Sequence, residues 1–229
     1  METLQNGFTL DIPDGVFPLS TDSILLCDFA KLPRNARVLD LGSGCGTLGI
    51  LLCAKDSACR VTGVELDPLA HEATLVNIQR NALCTRMGSI CADMRNIPST
   101  MAPGSFDCCI SNPPYFTGGP ASNATPIARR DDHCSLAELF SVAEKMLKYG
   151  GDFMLVHKPD RLSEICAIAT SCKLEPKRLR LIRHRPDSEI SLIMLSCRKG
   201  GKTGLIWEER CLFDREGQPT DYYRTLYHL

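Results

Sequence analysis

No apolar run in this chain reaches membrane-spanning length, and the N-terminus, with Glu2, Asp11 and Asp14, has neither the basic nor the apolar segment of a secretory signal. These absences exclude a spanning helix and an export route, and imply a soluble cytoplasmic protein. Cys-x-x-Cys is missing too, although there are thirteen cysteines. Their odd number, with Cys27, Cys53, Cys108, Cys109, Cys166 and Cys197 set inside apolar runs, argues for buried reduced thiols rather than a disulfide framework. Cys53/Cys59 and Cys166/Cys172 have neighbours too unlike for a zinc site, so no metal is expected. Repeats, low-complexity tracts and linkers are absent, and aromatics are only 6% of the 229 residues. With 44% apolar content the chain is long enough to bury one substantial core, and a single domain over 1–229 is the default.

Net charge is also nearly absent, at −1, but it is unevenly spread. Residues 171–204 hold nine Lys and Arg against three acids, +6, whereas 1–170 and 205–229 are acidic. The segment contains Lys177, Arg178, Arg180, Arg183, Arg185, Arg198, Lys199 and Lys202 among these nine, with His184 beside them. Two readings stand: a solvated sheet face, or a strip that contacts phosphates and binds nucleic acid in a salt-sensitive way.

The most informative stretch is Asn112-Pro113-Pro114-Tyr115, reached through the apolar run Phe106 to Ile110. The run has strand composition, and two successive prolines forbid further pairing or a helix, so the chain stops there and stays extended. This is either a strand-terminating loop whose Asn caps a turn, or a compact set of acceptors beside an aromatic plate, suited to a planar primary amine. Upstream, Val38-Leu39-Asp40-Leu41-Gly42-Ser43-Gly44-Cys45-Gly46 joins a short strand to a Gly-rich turn and then to the helix-like Thr47 to Ala54. Glycines let a ligand approach the backbone, and the helix start offers free N–H groups. Glu65 ends the next strand, Arg60 to Leu66, which completes the pattern of a nucleoside-binding αβα layer.

In chain order, residues 1–19 suit a short hairpin or strap, and Thr21 to Leu32 reads as a helix capped by Thr21 or Asp22. Leu69 to Asn81 has helical spacing, and Met87 to Cys91 is a strand leading to Asp93, which either caps the next turn or faces a ligand at the sheet edge. Residues 116–135 form a long polar loop with Arg129, Arg130 and His133, of the kind that gates or binds a substrate. Ser135 to Lys148 is an amphipathic helix stopped by Gly150-Gly151, Asp152 to His157 a strand, and Leu162 to Ser171 a helix. Leu174 to Arg185, Ser191 to Arg198 and Leu205 to Leu212 are strands joined by turns, which implies antiparallel pairing at one edge of a parallel sheet. The domain thus divides into an N-terminal strap and helix (1–36), a core (37–171) and an antiparallel C-terminal part with the basic strip (172–229).

Asp40-Leu41-Gly42-Ser43-Gly44-Cys45-Gly46, Glu65, Asp93 and Asn112-Pro113-Pro114-Tyr115 together resemble the S-adenosylmethionine-dependent methyltransferases that modify amino groups. Gly7-Phe8-Thr9-Leu10, Thr21 to Leu26 and Tyr222-Tyr223-Arg224-Thr225-Leu226-Tyr227 extend the likeness, over nearly the whole chain, to the tRNA-Val adenine N6-methyltransferase family. The resemblance implies a Rossmann-like class I methyltransferase, α/β, with a mixed sheet of about seven strands and helices on both faces. It implies S-adenosyl-L-methionine as donor and S-adenosyl-L-homocysteine as product. Thr21 and Asp22 would touch the methionine end, Asp40, Gly42, Gly44 and Gly46 would hold the amino-acid moiety, Glu65 and Leu66 the ribose, and Asp93 and Met94 the adenine. Asn112, Pro113, Pro114 and Tyr115 would hold the acceptor amine, with Asn112 also against the donor.

On this expectation Asn112 and Pro113 accept the two amine hydrogens, Tyr115 stacks on an extruded base, and Arg129, Arg130, Lys177, Arg178, Arg180, Arg183 and Arg185 contact RNA. Rival readings are a protein glutamine amide N-methyltransferase, which the 36 residues before Arg37 leave without its helical N-terminal domain, a rRNA guanine N2-methyltransferase, and a cofactor-fold binding module without turnover.

Overall fold

The computed structural model describes residues 2–4, 7–97, 101–115 and 134–227. Two short strands, β1 (Glu2–Thr3) and β2 (Thr9–Leu10), pair antiparallel as the N-terminal hairpin. Asn77 and Asn81 bond backbone groups of Thr9 and Asp11 through their amides, at 2.7–2.8 Å, and fasten that hairpin to the helix that carries them. The chain then runs α1 (Thr21–Phe29), β3 (Arg37–Leu41), α2 (Thr47–Lys55), β4 (Arg60–Glu65), α3 (Pro68–Arg80), β5 (Met87–Cys91) and β6 (Phe106–Ser111). It continues through α4 (Leu136–Met146), β7 (Leu147–His157), α5 (Leu162–Ser171), β8 (Leu174–Arg183), β9 (Ile190–Lys199), β10 (Ile206–Cys211) and α6 (Asp221–Tyr227).

Among the described residues eight strands form one mixed sheet in the order β10-β8-β9-β7-β6-β3-β4-β5, the expected architecture of about seven. Side chains alternate across it. Met154 and Val156 of β7 join the core under α1 and α2, while Phe153 and Leu155 join the core under α4 and α5. Both faces are covered, which is why the central strands read as continuous apolar runs rather than alternating ones. Phe140 of α4 meets Phe153 edge-on, ring centroids 4.9 Å apart, at the centre of the second core.

Two expected boundaries are corrected. Helix α4 begins after Ser135, which forms a capping box with Glu138, but ends at Met146 because Leu147 already pairs with Phe106 in β7. Gly150-Gly151 therefore sit in a bulge of β7 and not at a helix end; a Cβ on Gly151 would lie 2.8 Å from the Asp107 carbonyl. The C-terminal edge is not antiparallel throughout. Strand β9 inserts between β7 and β8, antiparallel to both, so neither of its edges is left for β10. The connection over residues 200–205 passes the start of β8 and lays β10 parallel along the free edge of that strand, Ile206 opposite Arg178.

Candidate active site

The carboxyl ends of β3, β4, β5, β6 and β7 open into one cleft of about 510 Å³, where a doubly wound sheet binds its ligands. Asp22, Gly42, Gly44, Glu65, Leu66, Asp93, Met94 and Asn112 to Tyr115 all line it. The stretches that sequence reasoning singled out over a span of nearly a hundred residues thus share one cavity.

One half is a cradle of backbone. Gly42 and Gly44 adopt left-handed φ angles of 73° and 56°, and a Cβ on Gly42 would point across the cleft to within 3.8 Å of the Met94 methyl. The loop is tied down from both sides: the Gly42 and Ser43 amides donate to the Val64 carbonyl, and the Gly44 amide donates to Glu65 Oε2 at 2.7 Å. Glu65 Oε1 takes the Asp67 amide at 2.9 Å. Each carboxylate oxygen keeps further acceptor capacity for a diol at the cleft wall. Asp93 caps a short 3-10 turn through the Arg95 amide and is clasped by the Arg95 guanidinium at 2.5–3.0 Å. Cap and cleft wall are one residue.

Three residues expected at the donor lie outside this lining. Asp40 shares the α2 face of β3 with Val38 and is fully buried; burial, and then the charge of Glu65, push its carboxyl up to about 8, which favours the neutral form, and it lies beneath the cradle. Gly46 is the N-cap of α2, packed against Thr74 and Met87. Thr21 accepts the Tyr227 hydroxyl at 3.1 Å.

The other half is the acceptor corner. Ser111, the last residue of β6, bonds the Leu41 carbonyl through its hydroxyl at 2.7 Å, which fixes where the extended Asn-Pro-Pro begins. Asn112 Nδ2 donates to Ser23 Oγ at 3.1 Å, so the amide oxygen is turned the other way. Tyr115 Oη lies 2.8 Å from Asn112 Oδ1 and 2.8 Å from Asp22 Oδ2. A phenol has one proton, and the carboxylate is the stronger acceptor, so lone pairs on Asn112 remain for another donor. Burial and the Asp22 carboxylate both raise the Tyr115 pKa, which keeps that proton in place. Among the described residues nothing donates to the Pro113 carbonyl. The corner offers acceptors, and a flat NH2 group supplies what they lack.

Residues 19–165, more than half the chain, match the family described as the methyltransferase small domain. The chain belongs to that family. A tRNA1(Val) (adenine(37)-N6)-methyltransferase of Bacteroides fragilis is 30% identical to it over 181 residues, 78% of this chain and 76% of its own length. A protein of the same name from Pseudoalteromonas translucida is 28% identical over 210 residues, 91% and 88% of the two chains. Among solved structures, a predicted O-methyltransferase from Agrobacterium tumefaciens has a TM-score of 0.76 and 20% identity, covering 91% of this chain and 96% of its own, which shows a shared fold. This enzyme is therefore an S-adenosylmethionine-dependent methyltransferase, and the glycine cradle with Glu65 and Asp93 at its walls fits that donor.

Sequence reasoning missed Ser23, Lys158 and the hydrogen-bonded state of Tyr115 in this methyltransferase. The helix cap is Ser20, whose side chain accepts from the Ser23 amide, so Asp22 and Ser23 fall in the first turn of α1 and face Asn112 and Tyr115. Tyr115 is not a bare plate: its ring meets the buried His157 at 5.1 Å and 61°, and the Lys158 ammonium sits 5.7 Å over it.

The basic strip is corrected most. Arg180 is 7% exposed; its guanidinium meets Asp28 at 2.5 Å and Glu208 at 2.6 Å, and packs on Phe29 and Tyr222. Arg183 pairs with Glu209, Arg178 donates to the Phe29 carbonyl and lies on the Phe29 ring, and Lys177 bonds the Lys202 carbonyl. These side chains hold β10 and α1 onto β8 and leave little free charge. Arg185 is exposed at the hairpin beside Gly217. Arg129, Arg130 and His133 lie outside the described residues. Arg180→Ala should accordingly lower unfolding stability by about 2–4 kcal/mol, under the full cost for a buried pair because its acids stay a third exposed; chemical denaturation would measure it.

Proposed function

We propose that this single-domain methyltransferase modifies N6 of an adenosine in tRNA, the anticodon-loop adenosine of tRNA-Val, in the cytoplasm. The observation that carries this reading is the Asn112 amide, whose Nδ2 is taken up by Ser23 so that its oxygen is left to accept, in a stretch with Pro113 that lines the same cleft as the glycine cradle. The names and coverage of the relatives support the same substrate.

An exocyclic adenine amine is a weak nucleophile because its lone pair is delocalised into the ring. Two acceptors on its two hydrogens favour the tetrahedral nitrogen that the transition state needs, and they fix the direction of the remaining density. S-adenosylmethionine, when bound, supplies a methyl group on a positively charged sulfur. Asp22 draws the Tyr115 proton away from Asn112, which leaves the amide oxygen open to the amine. No dedicated base is required, since an N6-protonated adenine is strongly acidic and loses its proton to water.

The test is to incubate the enzyme with isotopically labelled donor and a mixture of tRNA, rRNA and protein acceptors, then separate the fractions. Label in tRNA is expected. Label confined to protein would favour glutamine amide methylation, and label confined to rRNA would favour guanine methylation.

A further inference from the structure

Four carboxylates line the cleft, those of Asp22, Glu65, Asp67 and Asp93, while Lys158 is the one basic side chain among its described lining residues. An RNA strand entering such a site carries phosphates into a field of like charge. The arginines that seemed suited to meet them are spent on Asp28, Glu208 and Glu209. Lys158 is placed differently. It follows His157, the last residue of β7, and precedes Pro159; its amide donates to His157 Nδ1 at 2.8 Å, so its backbone is fixed at the strand end beside the acceptor corner. The ammonium lies over the Tyr115 ring and, among the described residues, its one hydrogen bond is a long 3.5 Å contact with the Ser191 carbonyl.

We infer that Lys158 is the phosphate-binding residue of the acceptor site, gripping the backbone phosphate of the nucleotide whose base seats against the Tyr115 ring and presents its amine to Asn112. The inference rests on the RNA reading above. A base seated against Tyr115 takes the place over the ring that the ammonium now holds, and a flexible four-carbon stem lets the charge swing to the phosphate of that same nucleotide. Lysine suits this better than arginine's fixed fork, because a compact point charge with three rotatable donors keeps contact while the base settles.

The test compares wild type with Lys158→Met, which keeps the stem and removes the charge, and Lys158→Arg, on unmodified tRNA-Val transcript over a series of KCl concentrations. Wild type methylates the transcript; Lys158→Met raises KM for tRNA about tenfold near physiological salt and reduces the slope of log affinity against log salt by about 0.7, one single-stranded phosphate contact. Lys158→Arg recovers most of the slope. Affinity for S-adenosylmethionine, measured by calorimetry, stays within twofold and shows that the variant is folded. An unchanged tRNA KM and salt slope in Lys158→Met overturns the inference while leaving the RNA reading intact. A loss confined to donor affinity also overturns it, since the lysine would then serve the donor's carboxylate. A wild type that leaves tRNA unmodified overturns the reading beneath it.

Discussion

Asn112→Ala should lower kcat for methyl transfer by about 10³-fold while donor affinity stays within a few-fold. The substitution removes the amide oxygen that Ser23 orients through the amide nitrogen, and leaves Pro113 as the remaining acceptor. Deleting one preorganised group that acts on charge developing in a transition state costs about 10²–10³ in kcat, and here the loss of alignment adds to it. The residues proposed to hold the donor, the glycine cradle, Glu65 and Asp93, stay untouched, so a split between kcat and donor binding is the signature. Single-turnover kinetics at saturating donor, beside calorimetric donor titration, reads both. A variant that retained activity would show that the amide oxygen has no part in holding the amine. Equal losses in kcat and donor affinity would point instead to a collapsed cleft.

Glu65→Ala should give the opposite split, with donor affinity falling about 100-fold, or roughly 2.7 kcal/mol. Two effects combine. A carboxylate hydrogen bond contributes about 1.5–3 kcal/mol, and the diol of a bound nucleoside loses that partner. The Gly44 amide, which Glu65 Oε2 holds at 2.7 Å, also loses its anchor, so the cradle must be ordered anew at each binding event. Glu65→Gln keeps one acceptor oxygen, and its loss should fall between wild type and alanine. At donor concentrations that saturate the variant, kcat should recover substantially because the acceptor corner is built from other residues. Calorimetry showing unchanged affinity in Glu65→Ala would remove the residue from the donor site.

That the glycine turn and the Asn-Pro-Pro-Tyr stretch would meet in one cleft was legible in the sequence because each is written locally. Glycine spacing after Asp40, the acid ending β4, and two prolines after Asn112 mark places where a strand must stop, and stopping points on one edge of a parallel sheet converge. Asp40 falls outside the cleft lining because strand alternation turns it to the buried α2 face, which its position in the motif does not record. What escaped the sequence lies in pairings between residues far apart along the chain. Ser23 meets Asn112 across 89 positions, Asp22 meets Tyr115 across 93, and Arg180 meets Asp28 across 152. A run of basic residues cannot reveal that β10 and α1 will bring acids to it. Likewise the parallel course of β10 follows from the insertion of β9 between β7 and β8, a topological fact that hairpin-like spacing does not record.

Mass spectrometry of nucleosides from unmodified tRNA-Val transcript, after incubation with this chain and methyl-labelled S-adenosylmethionine, tests the amine-gripping corner most directly. The account requires labelled N6-methyladenosine, appearing with wild type and missing with Asn112→Ala. Label found on a guanine or on ring nitrogens of adenine, or N6-methyladenosine formed equally well without the Asn112 amide, would contradict it.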